Sequence, residues 1–546
     1  MRNFRFVNLI ALASVALGDP RAGQSDASVV APPPIQTLTA ESSSRSQLNY
    51  AYIKQAWAVA GRAWLAKYSG LGWDETAHRW HVTNPWASES NAAQNAYNLE
   101  YVLRPAVNMG SVCHDKALLE GLAQFELAFS AQFTTLGALR RYGGPSADHT
   151  LLNNQGADSS RTLLWVQKGP GRDMVRECTL CNSQMLHPVA RLLRVLSSLS
   201  PTDRSPLMNQ FARLYGPLLV KDHLMRLLYE ADFDPSRGPD VPHKLVDNWK
   251  SLASRRTLPG PRYRYAMSDV QLWLLGTAAE VLGAHKDAPE LVPLSAVELQ
   301  NLTAAVAAGT AALQTERHLA TDGAPDGTTR ERASYFDGDY DDHPDFAFSG
   351  NVEPELPTKE RAHPHRGTSW DVSHFYRVPV VMRSLYDNRQ ATGAAFPTPR
   401  DLLVLSHQLV FVVFNRDWER PLFKNFFDGN DGWYRVGYGG SGTGYPPSLM
   451  CSQAPGSKRP CLMPGAVMGW GLLAEFDPEL AHLEDSLVAL AASKSEQART
   501  FRDRYYFWNN QHFALTDDQA KPAYPLLLFI ILGGNVGRQT ACEQLH

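Results

Sequence analysis

Apolar residues recur at three- and four-residue steps over most of the chain, and this spacing predicts amphipathic helices. The first such segment covers residues 47–68. The later ones cover residues 115–142, 188–199, 206–230, 269–285, 297–319, 399–414 and 464–476. Strand patterns are few, and the clearest is the short stretch 432–440. The chain is therefore predicted to be dominated by α-helices.

Between the predicted helices lie long segments rich in Gly, Asp, His and aromatic residues, and long loops in a compact domain are usually functional. Paired helices with such loops favour an α/α toroid or incomplete barrel, in which inner and outer helices alternate and the loops at one end form a cleft. A helical bundle with unstructured loops is the alternative. No fixed repeat period supports a helical-repeat array. The longest such loops cover residues 69–90, 143–185, 232–265, 319–369 and 425–462.

The N-terminus has the pattern of a secretory signal. Arg2 and Arg5 precede the short apolar stretch 6–17, which is too short to span a bilayer. We therefore predict a signal peptide and lead-in over 1–26, a flexible linker over 27–45, and one catalytic domain over 46–546. The protein is predicted to be secreted or periplasmic, and no later apolar stretch is long enough for a membrane helix.

Composition narrows the class of partner. The formal net charge of -3 gives no support for nucleic-acid binding, and 44% hydrophobic content supplies a large core. Thirteen Trp, 20 Tyr and 22 Phe residues suit either a core or a site that stacks on sugar rings. Among the six cysteines, Cys178 with Cys181 and Cys451 with Cys461 are predicted to form local disulfides, as expected for an exported protein.

The stretch 365–379, HRGTSWDVSHFYRVP, concentrates polar and aromatic residues near a predicted helix start. Trp370, His374 and Arg377 follow one another at four- and three-residue steps, so a helix would place them on one face. We predict that this helix start delivers Asp371, His374 and Arg377 to a cleft. The alternative is an Asp cap, a buried hydrogen-bonded histidine and a surface arginine.

An acidic segment, residues 332–355, contains Asp337, Asp339 and Asp341 at alternate positions, as in a calcium loop. The expected glycine and the closing Glu of an EF-hand are missing, so only an unrelated calcium site or a solvated acidic loop remains open. The aromatic residues around His343 favour an ordered loop at the rim of a cleft.

A glycine-rich segment, residues 426–448, offers aromatic faces and donors for a sugar but lacks the pattern of a phosphate loop. A glycine-rich surface hairpin is the alternative there. Further substrate contacts are predicted from two other loops, with less support. The predicted substrate-binding residues are Trp370, Asp371, Trp433, Arg435, Tyr438, His243, Asn248 and Tyr265.

The helical pairs, the export signal and the motif GTSWDVSHFYR together resemble α/α-toroid polysaccharide lyases that act on uronic-acid polymers such as alginate or glucuronan. The resemblance is one of architecture over roughly residues 45–530. It implies a Tyr and His acid/base pair and a cation or amide that neutralises the uronate carboxylate. These roles transfer to Tyr376 or Tyr434, to His374 or His343, and to Arg377.

Two alternatives to β-elimination of an acidic polysaccharide remain open. An inverting toroid glycoside hydrolase needs two separated carboxyl groups, which Asp371, Asp345, Asp269 and Glu89 offer. A non-catalytic carbohydrate-binding protein is the other. No zinc motif and no serine-nucleophile elbow is present in the sequence, and no cofactor is expected apart from the calcium alternative.

Overall fold

A computed structural model gives the fold of this chain, and helices dominate it, with a few short strands. Everything said below of the structure concerns the residues that it describes. They are residues 54, 57–83, 92–136, 139–142, 151–153, 162–168, 174–177, 179–230, 244–323, 329–437, 444–448, 468–493, 495–501 and 505. The predicted signal peptide and linker lie outside them.

The helices are numbered here in chain order. They are α1 (Arg62–Ser69), α2 (Ala92–Val112), α3 (Lys116–Leu136), α4 (Thr179–Ser198), α5 (Pro206–Pro217), α6 (Leu245–Ala253), α7 (Asp269–Asp287), α8 (Ala296–Thr315), α9 (Val372–Phe375), α10 (Arg377–Asp387), α11 (Arg389–Thr392), α12 (Pro399–Gln408), α13 (Pro478–Ala492) and α14 (Glu496–Phe501). Wider π-helical turns continue α5 through Leu218–Leu224 and α12 through Leu409–Val413.

The strands form small antiparallel sheets at the periphery of the helices. A hairpin pairs β1 (Leu71–Asp74) with β2 (Arg79–Val82), and another pairs β7 (Arg317–Gly323) with β8 (Thr329–Tyr335). A four-stranded sheet has the order β3-β5-β6-β4. Its strands are β3 (Leu139–Tyr142), β4 (Leu151–Asn153), β5 (Thr162–Lys168) and β6 (Met174–Glu177).

Helices α4 and α7 pack side by side and run parallel. Near their starts the Trp273 indole N–H donates to Gln184 at 3.3 Å, and two turns further on Arg191 donates to Glu280 at 3.1 Å. Contacts that advance in the same direction along both helices require a parallel pair. Because each partner is buried or half-buried, the polar pairs fix the axial register of the two helices.

Helix α10 lies along the same pair in the same direction. Its first residue, Arg377, donates to Gln184 at 3.1 Å, and ten residues later Asp387 accepts from Arg191 at 2.9 Å. Helix α2 contacts the same residue of α4, since Gln184 donates to the Tyr97 carbonyl at 3.2 Å. The N-terminal parts of α2, α4, α7 and α10 therefore meet near Gln184.

Local sequence explains where several of these helices begin. Thr398 and Asp401 form a reciprocal capping box at the start of α12, and Ser295 and Glu298 form one at α8. Ser268 precedes α7, but its side chain makes no capping hydrogen bond.

The core is continuous across these helices and unusually rich in large rings. Trp249, Trp273, Trp433 and Trp470 are among its largest fully buried side chains. The Trp249 indole donates to Gln271 at 2.7 Å, so this buried N–H is satisfied. Much of the aromatic surplus in the sequence is therefore core material.

The structure corrects several sequence predictions. The stretch 432–440 is not a strand in its described part, where Tyr434 forms only an isolated bridge with Tyr445. The helix predicted over 115–142 ends at Leu136, and β3 follows. Helices α2, α6 and α13 were not predicted from the sequence, because polar residues interrupt their apolar pattern.

Both described cysteines, Cys113 and Cys181, are disulfide-bonded. The predicted pairings also involve Cys178, Cys451 and Cys461, which lie outside the described residues. Within the described part of the chain, no helix is long and apolar enough to cross a membrane.

The buried ion pair between α4 and α7 is expected to carry substantial stability. Glu280 is fully buried and binds both Arg191 and Asn388, so Glu280→Ala removes one of the two carboxylates that Arg191 binds and one acceptor of the buried Asn388 amide. We expect a loss of roughly 1–3 kcal/mol in the free energy of unfolding, measured by chemical denaturation.

The matched control is Glu331→Ala, which breaks an ion pair with Arg400 whose side chains are 47% and 65% exposed. Solvent screens such a pair, so its loss is expected to shift the midpoint far less. Equal shifts for the two variants would contradict the role assigned to Glu280.

Candidate functional site

The motif 368–379 folds into two short helices with a break between them. Asp371 is the N-cap of α9, where its side chain accepts from the Ser373 amide at 3.2 Å. Tyr376 separates α9 from α10, and Pro379 occupies the first turn of α10. A proline is tolerated there because first-turn amides have no partner within a helix. The cap is therefore Asp371, as the alternative interpretation of this stretch predicted.

Asp371 and His374 form a buried pair. The imidazole Nδ1 lies 2.8 and 2.9 Å from the two carboxylate oxygens, and both side chains are almost fully buried. Burial by itself raises the pKa of Asp371, but His374 and Arg435 outweigh it and hold that pKa at about 2. An ionised carboxylate at Nδ1 requires Nδ1 to carry the proton of the neutral ring.

In the neutral form of the ring the other nitrogen of His374, Nε2, is then an acceptor. Nε2 makes no hydrogen bond with a described residue, and it is not among the polar atoms that are both fully buried and unpartnered. Nε2 therefore reaches solvent-accessible space although the residue as a whole is only 3% exposed. An imidazole oriented in this way is suited to accept a proton.

A stack of aromatic rings supports the His374 imidazole. Trp370 stacks on the imidazole with ring centroids 5.7 Å apart, and Tyr340 stacks on Trp370 with centroids 5.8 Å apart. Trp370 is only 4% exposed and Tyr340 donates its hydroxyl to the Met267 carbonyl at 3.0 Å. Trp370 therefore positions His374 and has no face left for a sugar, contrary to its predicted substrate contact.

Tyr434 brings a phenol to the same carboxylate. Its side chain lies close enough to the Asp371 carboxylate to interact with it, and its ring meets the His374 ring edge-on at 6.5 Å. Burial, together with Asp371 and Asp345, raises the pKa of Tyr434 well above its usual value, although Arg435 opposes this. The phenol therefore stays protonated, which suits a proton donor and not a base.

Arg435 follows Tyr434 in the chain and forms an ion pair with Asp345. Its Nε donates to the Asp345 carboxylate at 2.7 Å and its backbone N–H to the Asp345 carbonyl at 2.9 Å. Its φ of 56° is a left-handed conformation that a non-glycine residue adopts only when its surroundings enforce it. Being 2% exposed, Arg435 acts on Asp371 and Tyr434 and offers no open donor surface to a substrate.

His343 occupies the turn beside this group and is partly exposed. Its Nδ1 accepts from the Asp345 amide at 3.1 Å, so Nε2 carries the proton of the neutral ring. Burial is the main cause that lowers the pKa of His343, with the charges of Arg435 and His374 adding to it. A neutral ring with an outward N–H is a hydrogen-bond donor, so its predicted role as a base does not fit this geometry.

Tyr263 belongs to the site but was not predicted from the sequence. Its half-buried ring meets the His343 ring edge-on at 4.7 Å. The residue predicted from this part of the sequence, Tyr265, lies two positions further on and is buried. Only the folded chain reveals which of these tyrosines lies next to His343.

Arg377 and Tyr376 lie in the interior. The Arg377 guanidinium, 1% exposed, donates to Tyr97 and Gln184 at 3.1 Å and lies 3.5 Å from Asp269. Tyr376 is fully buried and its hydroxyl lies 3.4 Å from Glu100. Neither side chain reaches a cleft, because α10 turns them into the helix junction, so their predicted catalytic roles do not fit the structure.

Other predicted substrate contacts are structural. Asn248 is fully buried and donates to the Tyr265 carbonyl at 3.0 Å, and Tyr265 itself is buried. Trp433 is fully buried and donates to the Glu353 carbonyl at 2.7 Å. The remaining two predictions, His243 and Tyr438, fall outside the described residues.

The three aspartates considered for calcium bind different partners. Asp341 accepts from the Gly367 amide at 3.0 Å, Asp337 from the Ser334 hydroxyl, and Asp339 from Arg262. They therefore do not form one calcium-binding group. Across the described part of the chain, no group of three or more His, Cys, Asp or Glu side chains is arranged to hold a metal ion.

Comparisons of the chain with protein-family models, with curated proteins and with solved structures found no match. The function is therefore argued from the site itself.

The lowered pKa of Asp371 predicts how the stability of the protein depends on pH. Because this pKa lies below the ordinary carboxyl value, the contacts of Asp371 stabilise the fold above about pH 4, and that contribution is lost as the pH falls toward 2. We expect Asp371→Asn to cost about 2 kcal/mol near neutral pH. Thermal unfolding at a series of pH values should show the deficit narrowing in acid.

Asp477 provides the matched control, since it also caps a helix and accepts from the Glu479 amide at 2.9 Å. Burial raises the pKa of Asp477, so its contribution to stability is lost as the pH rises. The gap between wild type and Asp477→Asn is therefore expected to change with pH in the opposite direction. A parallel response of the two variants would refute the assignment for Asp371.

Proposed function

We propose that this protein is a polysaccharide lyase that cleaves a uronic-acid-containing polymer by β-elimination. The observation that carries the proposal is the Asp371–His374 pair, whose geometry leaves Nε2 as a proton acceptor facing accessible space. β-Elimination begins when a base removes the C5 proton of a uronate, and an oriented neutral imidazole supplies such a base.

Two further side chains supply the remaining parts of the reaction. The Tyr434 phenol, kept protonated beside Asp371, is the group that we assign to protonate the departing O4. The outward Nε2–H of His343 is assigned to the uronate carboxylate, where a donor stabilises the negative charge that develops on removal of the C5 proton. The C4–O4 bond then breaks, and the electron pair from C5 forms the C4–C5 double bond.

The helix ends support an anionic substrate. The N-terminal ends of α2, α4, α7 and α10 meet at Arg377, three residues after His374. Helix N-termini carry partial positive charge from their unpaired amides, which favours a negatively charged ligand nearby. A neutral glucan would gain nothing from this arrangement.

The helix order supports the finer description of the fold as an α/α toroid. Four parallel helices, α2, α4, α7 and α10, must be joined by segments that return in the opposite direction. Helices α3, α5 and α8 lie between them in the sequence and pack against them, as the outer helices of a toroid do. Whether the ring closes is part of the proposal.

The carboxyl groups favour elimination over inverting hydrolysis. An inverting hydrolase needs two carboxyl groups roughly 6.5–9.5 Å apart, one of them a protonated acid. Three of the candidate carboxyl groups lie in buried pairs: Asp371 with His374, Asp345 with Arg435, and Asp269 with Arg377. The fourth candidate, Glu89, lies outside the described residues.

Export of the protein to the periplasm or medium stays a prediction from its N-terminal sequence.

Incubation with uronic-acid polysaccharides tests this function. We expect ultraviolet absorbance from a conjugated unsaturated uronate, which hydrolysis does not form. His374→Ala is expected to reduce the rate by at least about 10²-fold, since a positioned base contributes about 10²–10⁴-fold. Circular dichroism should show unchanged helix content.

The control variant is His285→Ala, in the last turn of α7 and so at the opposite end of the parallel helices, where Nδ1 contacts the Val292 carbonyl at 2.8 Å. It is expected to keep wild-type turnover. New reducing ends without ultraviolet absorbance would establish the hydrolase instead, and full activity of His374→Ala would remove His374 from the mechanism.

A further inference from the structure

A segment rich in basic residues precedes the site and lies on the surface. Residues 361–367 are exposed throughout and contain no acidic residue. Arg361, His363, His365 and Arg366 therefore present four side chains that can donate hydrogen bonds to an anion. Residues 361–367 are called the basic strap below.

Hydrogen bonds to the backbone hold the first part of the basic strap in place. The Arg361 carbonyl accepts from Asn351 Nδ2 at 3.1 Å, and the His363 carbonyl accepts from the Gly350 amide at 2.7 Å. A Cβ atom at position 350 would lie 2.7 Å from the same carbonyl oxygen, so glycine is needed for this close approach. A backbone that is already ordered loses less entropy when its side chains bind a ligand.

The second part of the basic strap is held beside the turn that carries His343. The His365 amide donates to Ser349 Oγ at 2.8 Å, and the Gly367 amide donates to the Asp341 carboxylate at 3.0 Å. Asp341 lies two residues before His343. The basic strap is therefore anchored next to one of the two histidines of the site.

Both ends of the basic strap lie near the proposed acid and base. Asn351 accepts through its carbonyl from the Trp433 amide at 3.0 Å, and Trp433 directly precedes Tyr434. At the other end, Gly367 lies four residues before Asp371. Four extended residues span at most about 14 Å, so the Cα atoms of Gly367 and Asp371 lie no farther apart than that.

The two arginines of the basic strap are unpaired within the described part of the chain. Neither guanidinium forms a hydrogen bond or an ion pair there, and neither is paired with the preceding acidic residues Glu355 and Glu360. By contrast, Arg191 and Arg377 bind carboxylates between the helices. Two exposed guanidinium groups on an ordered backbone beside the site are free to bind an anionic ligand.

We propose that the basic strap is a second substrate subsite, which binds the carboxylates of uronate residues beyond the bond that is cleaved. A guanidinium group binds a carboxylate through two parallel hydrogen bonds, and the two histidines offer further donors. A polyuronate carries a carboxylate on each sugar, so the neighbours of the reacting residue supply the negative charges. This inference rests on the proposed function, because its ligand is the polymer assigned to the His374 site.

Steady-state kinetics with alginate and glucuronan test the basic strap. Contacts with sugars that do not react stabilise the bound substrate and the transition state equally, so their loss raises KM and leaves kcat nearly unchanged. For the double variant Arg361→Gln/Arg366→Gln we expect KM to rise at least about 3-fold at low ionic strength, because two exposed ion pairs are lost. The difference should fade at high salt, which screens exposed charges.

The matched control is Lys286→Gln/Arg389→Gln. It removes the same two positive charges from exposed positions at the opposite end of the parallel helices, in the last turn of α7 and at the start of α11. This variant should keep the wild-type KM. An equal rise in KM for both double variants would assign the effect to overall charge and overturn the subsite, as would an unchanged KM for Arg361→Gln/Arg366→Gln.

Direct binding separates the subsite from the proposed function. In a His374→Ala background, calorimetric titration with alginate should show at least about 3-fold weaker binding when Arg361→Gln/Arg366→Gln is added. Such a loss without elimination by the wild type would reject the lyase and keep the subsite. Elimination by the wild type with equal binding by the two variants would reject the subsite and keep the lyase. Tighter binding of a DNA oligonucleotide than of alginate through the same arginines would overturn the assigned ligand.

Discussion

The candidate site depends on one buried carboxylate, that of Asp371. Its oxygens cap α9 and bind the Nδ1 of His374, while Tyr434 and Arg435 lie close enough to interact with its charge. A buried anion is stable only when several donors compensate for lost water. Those same donors are the groups that a proton-transfer site requires, so folding and chemistry share one set of contacts.

The junction of helices around Arg377 likewise depends on a buried charge that several partners compensate. Arg377 joins the N-terminal parts of α2, α4 and α7 through Tyr97, Gln184 and Asp269, and it also donates to the His374 carbonyl at 3.2 Å. A cation buried among four helices would be costly if any of these partners were missing. Its presence therefore fixes how the helices meet and where the backbone of His374 lies.

The aromatic residues show why site prediction from composition is limited. Trp370 and Trp433 were expected to contact sugar, but both are core residues, and the half-buried Tyr263 lies against His343 instead. A tryptophan stabilises a protein core and a sugar site through the same apolar faces. Residue type and spacing alone do not distinguish the two, since the distinction lies in which segments from distant parts of the chain cover each ring.

The sequence by itself determined the helical class of the fold, the bounds of α7, the start of α8, and the closeness of Asp371 and His374, because three- and four-residue spacing is local information. It also placed His343 and Tyr434 among the candidate residues. Only the tertiary structure decided that Arg377 points inward and that His343 accepts through Nδ1 and donates through Nε2. Those features depend on contacts between residues far apart in the chain, and hydrophobic periodicity carries no information about which distant groups will meet.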